Sequence, residues 1–88
     1  MKQLECILNN HSGLHARPAA QFVQKAAAFG SKVTITANNK TVDAKSILGV
    51  MGMGLAKGAQ FVVTADGSDE AECLAALQEL VESNFGEG

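Results

Sequence analysis

Residues 13–18, Gly-Leu-His-Ala-Arg-Pro, place a nucleophile, a cation and a helix-start signal close together. His15 and Arg17 are one residue apart, and Arg17 and Pro18 are the only arginine and the only proline in the chain. Proline is tolerated in the first turn of a helix, where its missing N–H group costs no hydrogen bond. The pattern therefore predicts a helix that begins at Pro18, with His15 just ahead of it.

The chemistry that this arrangement favours is phosphoryl transfer through the imidazole. The first-turn N–H groups and the helix dipole attract anions, and the same field disfavours a proton on His15, so that a neutral ring can act as the nucleophile. Arg17 offers a planar fork that matches phosphate oxygens. We expect Gly13, Ala16 and Pro18 to shape the helix start, with Gly13 letting the backbone approach a ligand.

Other interpretations of His15 remain open on spacing alone. A histidine near a helix start is usually an ordinary polar loop residue. His11 and His15 form an H-x-x-x-H pattern, but it lies in a predicted loop, and no Cys, Asp or Glu is nearby. We therefore expect no metal site, and no cofactor is indicated.

A second region, residues 44–58 (AKSILGVMGMGLAKG), contains Ser46 ahead of a short apolar segment. Ser46 is a good N-cap for a short helix over 46–53. The apolar residues are too numerous for one face of so short a helix, so some must be exposed, and a methionine-rich exposed patch is typical of a docking surface. A phosphate on Ser46 would be tolerated at the helix start and would obstruct acidic partners.

Composition excludes several classes of protein. The chain has 88 residues, which predicts a single domain over 1–88, and its net charge of −2 and pI of about 5.5 disfavour nucleic acid as a partner. Cys6 and Cys73 have no CxxC spacing and are expected to be reduced core thiols. The sequence has no apolar span long enough to predict membrane insertion, and the cysteine usage suits a reducing compartment, so we expect a cytoplasmic protein. We also expect it to be a monomer.

The elements that must position these residues follow from periodicity. Alternation predicts strands over 2–8, 31–37, 40–44 and 60–65, and a turn at Asn38-Asn39. Apolar residues at helical spacing after Pro18 predict an amphipathic helix that Gly30 ends as a C′ glycine. A helix over 70–83 is predicted to start with a capping box of Asp69 and Glu72. The order β-α-β-β-α-β-α predicts an α+β, open-faced β-sandwich, a four-stranded antiparallel sheet with three helices on one face.

The segments GLHARPAAQF and VDAKSILGVMGMGLAKGA, at their separation in this chain, resemble HPr, the histidine-containing phosphocarrier of the bacterial phosphotransferase system. The resemblance implies that His15 accepts a phosphoryl group through the ring nitrogen nearer the backbone, assisted by Arg17. It implies that phosphorylated enzyme I, charged from phosphoenolpyruvate, is the donor, that IIA domains of sugar permeases are the acceptors, and that an HPr kinase/phosphorylase can modify Ser46. It places the partner-binding surface at Arg17, Ala20, Gln21, Gln24, Ile47, Leu48, Gly49, Met51 and Gly52.

Three alternatives accompany this resemblance. A nitrogen-branch phosphocarrier, which feeds a regulatory relay, shares the His15 motif. An HPr-like regulatory binding module would use the second helix alone, although relatives of that type replace the histidine that this chain keeps. A small phosphohistidine phosphatase would need a further acid or base near His15 and an Arg-His-Gly motif, which the sequence does not offer.

Overall fold

The computed structural model describes residues 1–86, in which four strands and three helices alternate in the predicted order. The elements are β1 (Lys2–Ile7), α1 (Ala16–Ala27), β2 (Lys32–Ala37), β3 (Lys40–Asp43), α2 (Ile47–Gly52), β4 (Gln60–Asp66) and α3 (Glu70–Glu82), followed by a 3₁₀ turn over Asn84–Gly86. The prediction of one domain over 1–88 extends to two residues that lie outside this part of the chain.

The four strands form one sheet in the order β1-β4-β2-β3, and every neighbouring pair is antiparallel. The hairpin between β2 and β3 turns through Asn38 and Asn39, whose φ angles of 52° and 65° suit the two central positions of a type I′ turn. Both the antiparallel sheet and this turn confirm the sequence prediction.

One face of the sheet is buried and the other is exposed, as the alternation of each strand requires. Val33, Ile35 and Val63 are no more than 1% exposed, and the three helices cover their side of the sheet. Phe22 of α1 meets Phe61 of β4 edge to face, with 6.3 Å between ring centroids. The open-faced sandwich is confirmed. The helix α1, which follows His15, packs on its covered face through Phe22.

The limits of α1 differ from the prediction at both ends. The helix begins at Ala16, two residues before Pro18, which lies inside the first turn. The prediction that Gly30 ends the helix as a C′ glycine is wrong, because α1 ends at Ala27 and its cap, Ala28, has an ordinary right-handed conformation. Gly30 is not among the residues with positive φ.

The predicted capping box at the start of α3 is also wrong. Asp69 is the N-cap residue, but its side chain makes no capping hydrogen bond. Its carboxylate instead accepts hydrogen bonds from the N–H groups of Gly30 (2.8 Å) and Ser31 (3.0 Å) and from the Ser31 hydroxyl. A long-range contact with the end of α1 has therefore replaced the local cap.

Candidate functional site

His15 is the N-cap residue of α1, with φ −80° and ψ −171°. Its backbone carbonyl accepts the hydrogen bond of Ala19 N–H at 2.8 Å, while its side chain makes no capping hydrogen bond and is exposed. The first turn contains no acidic residue, and Pro18 is buried in it. An exposed imidazole thus lies at the electropositive end of a helix of twelve residues.

The loop before His15 is held against a second loop. Leu14 N–H donates to the carbonyl of Leu55 at 2.9 Å, and Leu14 is buried. Gly13 has φ +65°, and a Cβ there would lie 2.5 Å from the Leu55 oxygen and 2.7 Å from Ala56 Cα. The expectation that Gly13 approaches a ligand needs correction, because its close approach is to the backbone of residues 55 and 56.

Arg17 lies two residues after His15, in the first turn of α1, and is exposed. Among residues 1–86, the ion pairs are those of the Met1 amino group with Asp66 and Glu70, so no described carboxylate pairs with Arg17. Among the described residues the guanidinium is therefore without an ion-pair partner, and its exposure leaves it accessible to a ligand at the helix start. Ala16 lies between the two and is also exposed.

Ser46 caps α2 as predicted. Its Oγ accepts a hydrogen bond from Gly49 N–H at 3.1 Å, and the residue is half-buried. The preceding residue, Lys45, donates from Nζ to the carbonyl of Phe29 at 2.8 Å. The start of α2 is thus fixed by its own cap and by a contact with the segment that follows α1.

The predicted contact residues are distributed over two helices that touch each other, α1 and α2. Leu48 is 84% exposed, Ile47 41% and Met51 38%, while Val50 of the same helix is fully buried. The remaining members are exposed or half-buried: Arg17, Ala20, Gln21, Gln24, Gly49 and Gly52. An exposed apolar patch therefore lies on the helix that packs beside the one carrying His15, as the composition of residues 44–58 predicts.

Neither cysteine has the environment of a reactive thiol. Cys6 and Cys73 are both buried and unpaired. Burial raises the pKa of the Cys6 thiol to about 11, with the charge of Glu82 adding to the effect, and burial also raises the pKa of Cys73. Because the thiolate is the nucleophilic form, both thiols are inert near neutral pH.

His11 is exposed in the turn that precedes Gly13. Within residues 1–86, no three His, Cys, Asp or Glu side chains are grouped so that they could hold a metal ion. None of the helices in the same part of the chain is long and apolar enough to cross a bilayer. Among the described residues, the candidate site for chemistry is therefore the exposed imidazole of His15 and the exposed guanidinium of Arg17 at the start of α1.

Sequence reasoning missed the roles of two polar residues that shape this region. Asn10 is buried in the loop before His15, where its Nδ2 donates to the Gly13 carbonyl at 2.8 Å. Asp69 holds the other end of α1, and its pKa is lowered, first by the hydrogen bond from the Ser31 hydroxyl and then by the Gly30 N–H group. The N-x-x-G spacing of a turn was the only sequence signal for Asn10, and no local signal joined Asp69 to Ser31.

Comparison with known proteins identifies the family. Residues 2–83 match the family model described as the PTS HPr component phosphorylation site. The chain belongs to the HPr family. It is 46% identical over 79 residues to the phosphocarrier protein HPr of Neisseria meningitidis serogroup A, covering 90% of this chain and 89% of that protein.

Solved HPr structures share the fold. A crystal structure of HPr from Thermoanaerobacter tengcongensis is 46% identical, with a TM-score of 0.97 over 100% of this chain and 99% of that one. A crystal structure of an HPr dimer from the same organism is 47% identical, with a TM-score of 0.80 over 99% and 100%. The chain is thus a member of a phosphocarrier family of the phosphotransferase system, whose members carry a phosphoryl group.

Proposed function

We propose that this HPr-family chain accepts a phosphoryl group on His15 from phosphorylated enzyme I and passes it to IIA components for sugar uptake. The observation that carries the proposal is the exposed imidazole of His15 at the N-cap of α1, with a side chain that makes no capping hydrogen bond. A ring in that position has a lone pair available to a reagent, and the helix start is electropositive.

The transfer step conserves atoms and electrons. The lone pair of the ring nitrogen nearer the backbone, Nδ1, forms a bond to phosphorus while the bond between phosphorus and the donor breaks, and that electron pair returns to the donor. In the second transfer a lone pair of the acceptor's nucleophile forms a bond to phosphorus while the N–P bond breaks, and its electron pair returns to Nδ1 of His15. Both half-reactions move one phosphoryl group between nucleophiles, so the chain is a carrier that two enzymes use as a substrate.

Arg17 and the helix start stabilise the charge on the group in transit. The N–H groups of the first turn have no carbonyl of the same helix to bond, and the phosphoryl oxygens are acceptors that suit them. The guanidinium of Arg17 is exposed in the same turn and can pair with two oxygens. Because α1 carries no acidic residue in its first turn, no carboxylate of that turn repels the incoming group.

The partner surface combines the first turns of α1 with the exposed apolar patch of Ile47, Leu48 and Met51. The charged residues of α1 are Arg17 and Lys25, both basic, and α2 has none, whereas the charged residues of α3 are all acidic. An acidic partner would therefore approach α1 and α2 rather than α3. Apolar contacts with the exposed methionine and leucine would then hold it in register.

Ser46 is proposed as a regulatory phosphorylation site for an HPr kinase/phosphorylase. Its Oγ already faces the N–H group of Gly49, so a phosphate there would still meet the positive end of α2. The same phosphate would add about two negative charges beside Ile47 and Leu48. It would thus repel an acidic partner at the edge of the docking surface without unfolding the helix.

We further propose that the chain acts as a monomer in the cytoplasm, which suits its two unpaired thiols. A crystal structure of HPr from Thermoanaerobacter tengcongensis contains a dimer. A measurement of the mass in solution would therefore test whether this chain is a monomer.

The function is tested by incubating the chain with phosphoenolpyruvate and enzyme I, then locating an acid-labile phosphoryl group by mass spectrometry. A label on His15 that moves to IIA domains of sugar permeases is the expected result. Movement to the acceptors of the nitrogen branch alone would replace the sugar role by the regulatory relay. Release of free phosphate from a small substrate would indicate a phosphatase, and tight partner binding without label would indicate a binding module.

A further inference from the structure

The loop before His15 contains a buried polar side chain that the proposed chemistry does not use. Asn10 is 2% exposed, whereas its neighbours Asn9 and His11 are exposed. Asn10 Nδ2 donates to the carbonyl of Gly13 at 2.8 Å, and the Asn10 carbonyl accepts from Gly13 N–H at 3.3 Å. Asn10 therefore holds both backbone polar groups of Gly13.

From Gly13 the chain has little freedom before it reaches His15. Gly13 has φ +65° and lies so close to the backbone of Leu55 and Ala56 that a Cβ would not fit. The next residue, Leu14, is buried and donates its N–H group to the Leu55 carbonyl at 2.9 Å. The orientation of the peptide after Gly13 thus determines where the backbone of His15 begins.

The energetics of Asn10 favour a role in placement over a role in stability. Its Oδ1 is buried and has no hydrogen-bond partner among the described residues. An unpaired buried acceptor costs at least as much as one net hydrogen bond contributes, so the two polar groups of this amide nearly offset each other. The side chain contributes little net stability, while it fixes the direction of the Gly13 carbonyl.

We propose that Asn10 is a positioning residue that holds the His15 imidazole in line with the start of α1. The inference rests on the proposed function, since it assigns how the phosphoryl-accepting ring is oriented. A nucleophile confined to a near-attack geometry reacts faster, and small misplacements of a reacting group cost large factors in rate. Asn10 acts through Gly13 and Leu14, and it does not touch the phosphoryl group.

The test measures phosphorylation by enzyme I with Asn10→Ala and with the milder Asn10→Ser. We expect kcat to fall about tenfold in Asn10→Ala while KM stays unchanged, because the docking residues of α1 and α2 are intact. The amide of Leu14 should exchange with solvent faster, and the ring signals of His15 in nuclear magnetic resonance spectra should shift. A smaller change in the same direction is expected for Asn10→Ser.

Two variants serve as matched controls. Asn9→Ala removes the same side chain from the exposed neighbouring position, and Ser31→Ala removes a buried polar group at the opposite end of α1. Neither should change kcat or the ring signals of His15, even though Ser31→Ala lowers the melting temperature. A fall in kcat that simply follows melting temperature across all variants would make Asn10 structural and overturn the inference.

The remaining outcomes separate the inference from the proposed function. If the unchanged chain is phosphorylated on His15 and Asn10→Ala reacts at the same rate, the inference alone is wrong. If Asn10→Ala and Asn10→Ser both fail to fold, the side chain is essential to stability, which also contradicts the inference. If the unchanged chain takes no label, the proposed function fails, whereas the His15 ring signals of the variants still report whether Asn10 positions the ring.

Discussion

The two ends of helix α1 use their polar groups in opposite ways. At the start, the His15 side chain makes no capping hydrogen bond and is exposed. Beyond the other end, the N–H groups of Gly30 and Ser31 and the Ser31 hydroxyl all bond to the Asp69 carboxylate. The start keeps hydrogen-bonding capacity for a ligand, whereas the segment after the helix uses its capacity to fix α1 against α3.

Lys45 strengthens this contrast. Its ammonium donates to the Phe29 carbonyl at the same end of α1 as Asp69, so both charged side chains act there. The far end is thus held by charged side chains of other elements, whereas the first turn is held by the backbone contacts of the loop before His15. Stability and chemistry are thereby assigned to opposite ends of one element, and substitutions at each end should have separable effects.

The largest effect is expected from His15→Ala, which should abolish phosphoryl labelling from phosphoenolpyruvate. Because the imidazole is exposed and makes no capping bond, the melting temperature should change little, as for other surface substitutions. Labelling by mass spectrometry and thermal unfolding measure the two effects on the same sample. Label retained in this variant would contradict the assignment of His15, and a large loss of stability would remove the contrast between the two ends.

Arg17→Ala should slow phosphoryl transfer by about tenfold or more and leave the melting temperature nearly unchanged, since the guanidinium stabilises charge and has no described carboxylate partner. Rapid-quench measurement of transfer from enzyme I gives the rate. Arg17→Lys keeps the charge without the planar fork and should lie between the two. A loss of stability comparable to that of a core substitution would show that Arg17 is structural.

Ser31→Ala tests the opposite end of α1. It should lower the melting temperature by roughly 10 °C at neutral pH, because hydrogen bonds to charged groups are stronger than others and a small domain shifts by several degrees for each kcal/mol. Phosphoryl transfer below the melting temperature should be unchanged. A slower transfer at full folding would mean that the two ends are coupled.

The same variant has a definite pH dependence. The pKa of Asp69 is lowered in the folded chain, first by the Ser31 hydroxyl, so its contribution to stability is present above the unfolded pKa, near 3.9. That contribution is lost as the pH falls through the folded pKa. The difference in melting temperature between the unchanged chain and Ser31→Ala should therefore shrink below about pH 4, and a constant difference would contradict the carboxylate's role.

Local sequence patterns correctly predicted the structural features that depend on neighbouring residues. Alternation placed Val33 and Ile35 on the covered face of the sheet, and the Asn38-Asn39 pair supplied the two positive φ angles of the hairpin. Ser46 was predicted as an N-cap, and its side chain bonds to the third residue beyond it. Each of these features depends on residues within a few positions of one another.

Patterns failed where a distant residue competes with a local one. Asp69 has the spacing of a capping box, but its carboxylate bonds to Gly30 and Ser31, far away in sequence. Gly13 suits a ligand loop, but its lack of a side chain is used for contact with Leu55. A proline indicates the first turn of a helix, but the sequence does not show which position of that turn Pro18 occupies. The predicted start of α1 was therefore two residues late.

The smallest effect is expected at the start of α2, where Ser46 has a cap and borders the docking surface. Ser46→Asp can still cap the helix and adds one negative charge beside Ile47 and Leu48, so we expect enzyme I to bind a few-fold more weakly at low salt. The difference should diminish as salt is added, which titration at two ionic strengths measures.

Ser46→Ala is the matched control, because it removes the cap bond to Gly49 without adding charge. It should cost about 0.5–1 kcal/mol of stability and leave the affinity for enzyme I unchanged. If Ser46→Ala weakens binding as much as Ser46→Asp does, the start of α2 acts on the partner through its shape. The proposed regulation could then not be explained by charge at Ser46. The start of α2 would have a structural role, like the segment after α1 that bonds to Asp69.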